Sequence, residues 1–254
     1  MYIDSHCHLD FPEFEHRLDQ VFARMDENAV DGAMCISVTL ESFPAVLALA
    51  ERHPRLLATA GVHPDYPDDR EPDVETLVSL ADHPRVRAIG ETGLDYYRLK
   101  GELEWQRERF RTHIRAARAC RKPLVIHTRA ASEDTIRIMR EEGADEVGGV
   151  MHCFTEAWET ASAAIAMGFC ISFSGIVTFK NADALREVAA RVPEGNLLIE
   201  TDAPYLAPVP FRGKTNEPGF VRHVGEQLAA LRGVSAEHIA KITTDNFHRL
   251  FKYF

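Results

Sequence analysis

Two imidazoles stand two residues apart in Asp4-Ser5-His6-Cys7-His8, a segment flanked by apolar residues. On a β-strand that spacing turns both side chains to one face. Neutral imidazole nitrogens converging from one strand supply half of a metal's protein ligands if His and carboxylate partners arrive from elsewhere. Candidates recur along the chain, because Glu91, His127, His152 and Asp202 each close a short apolar run. A lone histidine at a strand end is more often a packing residue, but six such donors at successive run ends outweigh that reading. One zinc needs three protein ligands and a water, so four histidines, a glutamate and an aspartate suffice for two divalent ions sharing a carboxylate. Ion pairs about 3.5–4 Å apart polarise an oxygen under attack, as in many phosphoesterases, so the set points to hydrolysis.

For these donors to meet, the runs that carry them must lie side by side. Short apolar runs alternate with longer amphipathic stretches along all 254 residues, the pattern of repeated βα units. Strands are predicted at residues 2–8, 32–38, 56–62, 86–91, 124–127, 149–154, 170–174 and 197–202. Helices are predicted at 15–28, 43–52, 74–81, 104–120, 133–142, 157–167 and 182–190, with two more at 220–231 and 236–251. Eight strands each followed by a helix close most simply into an α/β (β/α)8 TIM barrel, with functional residues at the C-terminal ends of the strands. The donors obey that rule: His6 and His8 end the first run, Glu91 the fourth, His127 the fifth, His152 the sixth and Asp202 the eighth. A doubly wound open sheet is the structural alternative, and it suits donors on both first and last strands less well. No low-complexity linker, charge block or repeat interrupts the series, so one barrel domain over residues 1–254 is expected.

The motifs in order resemble the TatD family of metal-dependent deoxyribonucleases, within the wider amidohydrolase-like barrels. They run from Asp4-Ser5-His6-Cys7-His8 through Gly61-Val62-His63-Pro64, Gly90-Glu91-Thr92-Gly93-Leu94-Asp95, His127-Thr128-Arg129 and His152-Cys153-Phe154. Glu200-Thr201-Asp202-Ala203-Pro204-Tyr205-Leu206 and Arg212-Gly213-Lys214-Thr215-Asn216-Glu217-Pro218 complete them, so nearly the whole chain takes part. The resemblance implies that His6 and His8 bind one ion, that Glu91 bridges, that His127 and His152 bind the other, and that Asp202 completes the first site. It also implies a DNA substrate, taken as single strands from the 3′ end, and two divalent ions such as Mg, Mn or Zn. Many related barrels bridge with a carboxylated lysine; the matching position here is Glu91, which needs no modification. With the imidazoles occupied by metal, Asp202 is the natural group to orient the attacking water and take its proton.

Other residues speak to the substrate. Arg129 follows His127 by two positions, and its planar fork suits a phosphate. Arg212 and Lys214 lie on a loop after the eighth run, free to reach over the site, and His63 ends the third run as a donor to a phosphate or a leaving group. Glu200 is either a carboxylate orienting a ligand or a satisfied inward acid. Asp95-Tyr96-Tyr97 offers a base-stacking ring or merely closes a loop. His16, His53, His83, His113, His223, His238 and His248 fall on helices or loops and read as surface or packing residues.

A formal charge of −10 argues against coating nucleic acid through a broad basic surface, while leaving room for a local phosphate grip. Five cysteines without paired spacing read as reduced, and Cys7 and Cys153 are expected to face away from the site. With no long apolar run and no basic leader, a cytoplasmic protein without membrane contact is expected. Two rival readings stand beside the nuclease. The same metals could hydrolyse a lactone, amide, small ester or aminoacyl ester, or the chain could be a metal-stabilised nucleic-acid binding module. Histidine and carboxylate suit zinc, manganese, iron and nickel alike, so the donors leave the metal unnamed.

Overall fold

The computed structural model describes residues 1–67 and 69–252. Among these, eight strands form one parallel sheet in sequential order: β1 (Tyr2–Cys7), β2 (Val30–Cys35), β3 (Leu56–Ala60), β4 (Val86–Asp95), β5 (Leu124–Arg129), β6 (Gly149–Met151), β7 (Phe169–Phe173) and β8 (Leu197–Ile199). The helices are α1 (Leu18–Glu27), α2 (Phe43–Arg52), α3 (Val74–Ala81), α4 (Glu104–Cys120), α5 (Ser132–Glu141), α6 (Trp158–Ala166), α7 (Asp183–Arg191), α8 (Val221–Arg232) and α9 (Ala236–Phe251). None is long and apolar enough to cross a membrane. The predicted (β/α)8 barrel is therefore the observed architecture.

The sheet closes on itself at a seam between β1 and β8. Asp202 N–H donates to His6 O at 2.9 Å and His8 N–H to Ala203 O at 2.8 Å, just beyond the regular strands. Lower down, side chains do the stitching. Ser5 Oγ donates to Ile199 O at 2.9 Å, and the Asp4 carboxylate accepts from Thr201 N at 2.9 Å and from its hydroxyl at 2.5 Å.

Side-chain alternation divides the core in two. Leu56, Phe110, Ile114 and Val224 pack between strands and helices, whereas Ile3, Met34, Leu57, Ala88, Val125, Val150, Cys170 and Leu198, one from each strand, meet inside the barrel. Phe247 and Phe251 of α9 join that inner cluster and close the floor. Above it the lining turns polar, with Ser5 and Ser172 hydroxyls 3.1 Å apart and Ser37 N–H donating to Thr59 Oγ1 at 3.1 Å. Filling the bottom with apolar side chains leaves only the upper end for chemistry.

Several strand ends differ from the predicted runs, each for a local reason. β6 stops at Met151 and β8 at Ile199, short of the predicted 154 and 202, because Cys153 and Asp202 take left-handed φ values of +42° and +56° and leave the ladder. His8, His152 and Asp202 therefore sit just past their strands. β4 instead runs on to Asp95, its Thr92–Asp95 stretch pairing with Ile126–Arg129. Glycine permits this: a Cβ on Gly93, at φ +131°, would lie 2.0 Å from His127 O. On β1, Cys7 packs outward as expected, but the ladder to β2 slips twice, so Ser5 also reaches inward and simple alternation fails below His6.

Candidate metal centre

Glu91, 2% exposed, stands at the middle of the barrel mouth with imidazoles on both sides. Its Oε2 lies 3.2 Å from His6 Nε2, while Oε1 lies 2.7 Å from His152 Nε2, 3.2 Å from His127 Nδ1 and 3.2 Å from His63 Nε2. Asp202 turns Oδ1 toward His6 Nε2 at 3.7 Å and His8 Nε2 at 3.5 Å. The His6 ring stacks on His152 with centroids 3.8 Å apart. Thus the structure brings His6, His8, Glu91, His127, His152 and Asp202, predicted from the sequence, into one cluster.

The donor set suits divalent cations. Among the described residues, three trios have ligand atoms within 4.8 Å of one another: His6 with His8 and Glu91, His6 with His152 and Asp202, and His63 with Glu91 and His127. Nothing among the described residues meets hydrogen-bond geometry at either nitrogen of His6, the close approach of Glu91 included, or at Nδ1 of His8, and all three atoms are buried. His152 Nε2 faces His127 Nδ1 at 3.4 Å, a pairing of two lone pairs when both rings are neutral at those atoms. Buried nitrogens in this state are costly, and a cation converts them into ligands. His152 adjoins both groups, so the expected division of ligands between two ions is not strict at that residue.

Two carboxylates behind the cluster, Asp95 and Glu200, set which nitrogen His127 and His152 turn inward. His127 Nε2 meets Asp95 Oδ2 at 3.1 Å and leaves Nδ1 facing Glu91, whereas His152 Nδ1 meets Glu200 Oε1 at 3.2 Å and leaves Nε2 facing Glu91. Glu200, weighed between two roles on sequence, thus lies against a donor histidine. In the sequence Asp95 draws notice for the rings beside it, and nothing there signals this contact. Its own carboxylate also accepts from the backbone N–H of Tyr97 and Arg98, both at 2.8 Å. Burial works against charge on Asp95, yet the His127 ring and these amides hold the acid at about 2. Burial likewise opposes charge on Glu91, and the surrounding imidazoles, His152 foremost, hold it well below the usual carboxylate range. Beneath the centre, burial pushes Asp4 up to about 8 against the pull of its Thr201 and His6 donors.

His63 joins the third trio in a different chemical state. Its Nδ1 accepts the Asp65 N–H at 3.0 Å, so the neutral ring carries its proton on Nε2 and is a donor toward Glu91. Burial lowers its pKa, against the pull of Glu91, and favours that neutral form.

The loop bearing His63 is held by three polar residues of α4. His113 Nε2 accepts from Val62 N–H at 2.9 Å, Arg109 donates to His63 O at 2.9 Å, and Gln106 donates to Pro64 O at 3.1 Å while accepting from Asp95 N–H at 2.9 Å. Gln106 and His113 are fully buried and Arg109 is 3% exposed. His113 belongs neither to the surface nor to simple packing, because it supports the site. Their spacing held the signal: 106, 109 and 113 share the buried face of a helix with Phe110, Ile114 and Ala117.

The remaining substrate candidates fall on the rim. Arg129, half-buried at the end of β5, lays its guanidinium 4.1 Å from the Tyr97 ring centroid. Arg212 and Lys214 are exposed, with Arg212 over Phe179 at 3.7 Å and Lys214 near Phe211 at 5.6 Å. Among the described residues, neither forms a hydrogen bond or ion pair with the donor cluster. Of the two tyrosines after β4, Tyr96 is tied to Asp134 at 2.6 Å and Tyr97 is free of that role, 61% exposed.

Comparison with known proteins agrees with this geometry. A family model described as TatD related DNase matches residues 3–252. The chain is 47% identical over 252 residues to an uncharacterized metal-dependent hydrolase of Escherichia coli, YcfH, covering 98% of this chain and 95% of that protein. It is 33% identical over 255 residues to a protein of Erwinia tasmaniensis named 3'-5' ssDNA/RNA exonuclease TatD, covering 98% of each. Among solved structures, the TatD homolog YJJV from Escherichia coli matches with a TM-score of 0.90 at 28% identity, covering 100% of this chain and 98% of that one.

Proposed function

Because the chain belongs to the TatD family of metal-dependent hydrolases, we propose that it cleaves phosphodiester bonds of DNA as a 3′–5′ exonuclease on single strands. The observation that carries the reading is Glu91, whose two oxygens face different imidazoles and so suit a bridge between two cations. His6, His8 and Asp202 would hold one ion, His127 and His152 the other. Two divalent ions there would supply Lewis acidity toward a phosphoryl oxygen and a lowered pKa for water.

The chain's own residues account for the rest. Asp202, with 17% of its side chain exposed, is open enough to orient a water and accept its proton. The His63 Nε2–H, fixed by the Asp65 amide, donates to a phosphate or to the departing oxygen. Arg129 at the rim, held over Tyr97, grips a phosphate. Arg212 and Lys214, on the exposed loop after β8, meet the strand farther out. This local grip fits an acidic protein better than a broad basic surface does.

The test is digestion of a 5′-labelled single-stranded oligonucleotide by metal-loaded protein, alongside Asp202→Asn and Arg129→Ala. The wild type should shorten the strand. D202N should still bind the strand without turnover, and R129A should raise KM for it while sparing hydrolysis of a neutral lactone. An intact oligonucleotide beside rapid lactone turnover would refute the nuclease and favour small-molecule hydrolysis on the same barrel.

A further inference from the structure

The barrel mouth carries aromatic rings that the donor cluster does not use. Tyr205 lies three residues beyond Asp202 in the loop after β8 and is 53% exposed. It meets Phe11 edge-on at 6.3 Å, and Phe11 in turn stacks on the His8 ring at 4.8 Å with the planes 22° apart. Rings therefore step outward without interruption from a donor histidine to solvent. Tyr66 stands edge-on to His63 at 5.9 Å. Burial pushes its phenol up, and the charge of an ionised Tyr205 would add to that push. The loop under Tyr205 is firmly set. Asn216 Nδ2 donates to Thr201 O at 2.8 Å and to Tyr205 O at 2.6 Å, and the loop's end is anchored by an ion pair between the half-buried Arg24 and the buried Glu217.

A ring half in water, with a second ring fixing its orientation and a rigid backbone beneath it, presents a flat face at little entropic cost. Every nucleobase has a π-face, so such a platform binds bases without regard to sequence, but only bases that are not stacked in a duplex. Resting on the nuclease reading above, we propose that Tyr205, backed by Phe11, is the stacking platform for the unpaired base next to the cleaved phosphodiester. The preference for single strands then resides in the rim, and the metal-ligating residues play no part in it.

The experiment compares kcat/KM for a short single-stranded oligonucleotide with that for the same strand lacking its terminal base, in wild type, Y205F and Y205A. Y205A should lose on the order of tenfold on the normal strand, and Y205F should keep most of the activity. The abasic strand should cost the wild type a similar factor and Y205A nothing further. As a second readout, 2-aminopurine at the terminus of a phosphorothioate-blocked strand should be quenched on binding to wild type and Y205F, but not to Y205A. Losses that simply multiply, or a Y205A variant indistinguishable from wild type, would overturn the platform while leaving an active nuclease. If the wild type hydrolyses bis(4-nitrophenyl) phosphate yet cuts no oligonucleotide, the nucleic-acid reading itself falls and takes the platform with it.

Discussion

His113 should make the protein lose stability in mild acid, and the structure says by how much. The ring is fully buried on α4, its Nδ1 is bonded to Arg109 O at 2.7 Å and its Nε2 accepts the Val62 amide at 2.9 Å. A second proton would set N–H against N–H at Val62. Burial accordingly lowers the pKa from 6.5 to about 4. In the unfolded chain the ring titrates normally, so between pH 6.5 and 4 unfolding takes up a proton and stability falls as pH falls. The contribution is intact above pH 6.5 and fully lost near pH 4. A shift of 2.5 pH units corresponds to about 3.4 kcal/mol in all, of which about 2 kcal/mol is lost on going from pH 7.5 to 5. Other groups titrate in the same range, so the measurement must be a difference. His113→Gln keeps an acceptor for Val62 but cannot be protonated. Urea unfolding of wild type and H113Q at pH 7.5 and 5, without added metal, should show the variant gaining about 2 kcal/mol on the wild type at the lower pH. A wild-type-to-variant gap that stays constant across that range would refute the reasoning.

Two other perturbations probe the candidate metal centre. Asp95→Asn places an amide against His127 Nε2, favours the wrong tautomer and should weaken metal binding about ten- to a hundredfold, as read by competition with a chromophoric chelator; unchanged affinity would deny Asp95 its orienting part. His6→Ala removes a donor common to two of the three trios and should lower the metal content of purified protein by about one ion per chain in elemental analysis.

The parts of this site that read plainly from the sequence are those whose donors sit on an apolar run. His6, Glu91 and His127 each extend a stretch whose period marks a strand, and a barrel brings such strand ends together whatever the loops do. The helix α4 was legible to its boundaries at Glu104 and Cys120 because its apolar stripe is regular. What escaped were contacts between elements. The Asp95–His127 pair depends on β4 running four residues past Glu91, which the glycine-interrupted Gly90–Asp95 stretch conceals. The His113–Val62 bond joins a helix to a loop 51 positions earlier, with nothing local to announce it. Left-handed residues at Cys153 and Asp202 end two strands early without glycine, the usual sign of such a conformation.

The seam between β1 and β8 has a consequence for how the molecule stays shut. Among the described residues, two backbone bonds bind the end of the first strand to the segment after the last, and His6, His8 and Asp202 flank those same bonds. A cation shared among them would be a clasp, closing a loop that takes in most of the chain. Loop-closure entropy grows only with the logarithm of length, so so wide a ring is tied at little more cost than a short one. Because the unfolded chain holds no such site, metal concentration should set the melting temperature as well as the turnover rate. The amides of His8 and Asp202 should then be the hydrogen-exchange reporters of the clasp opening.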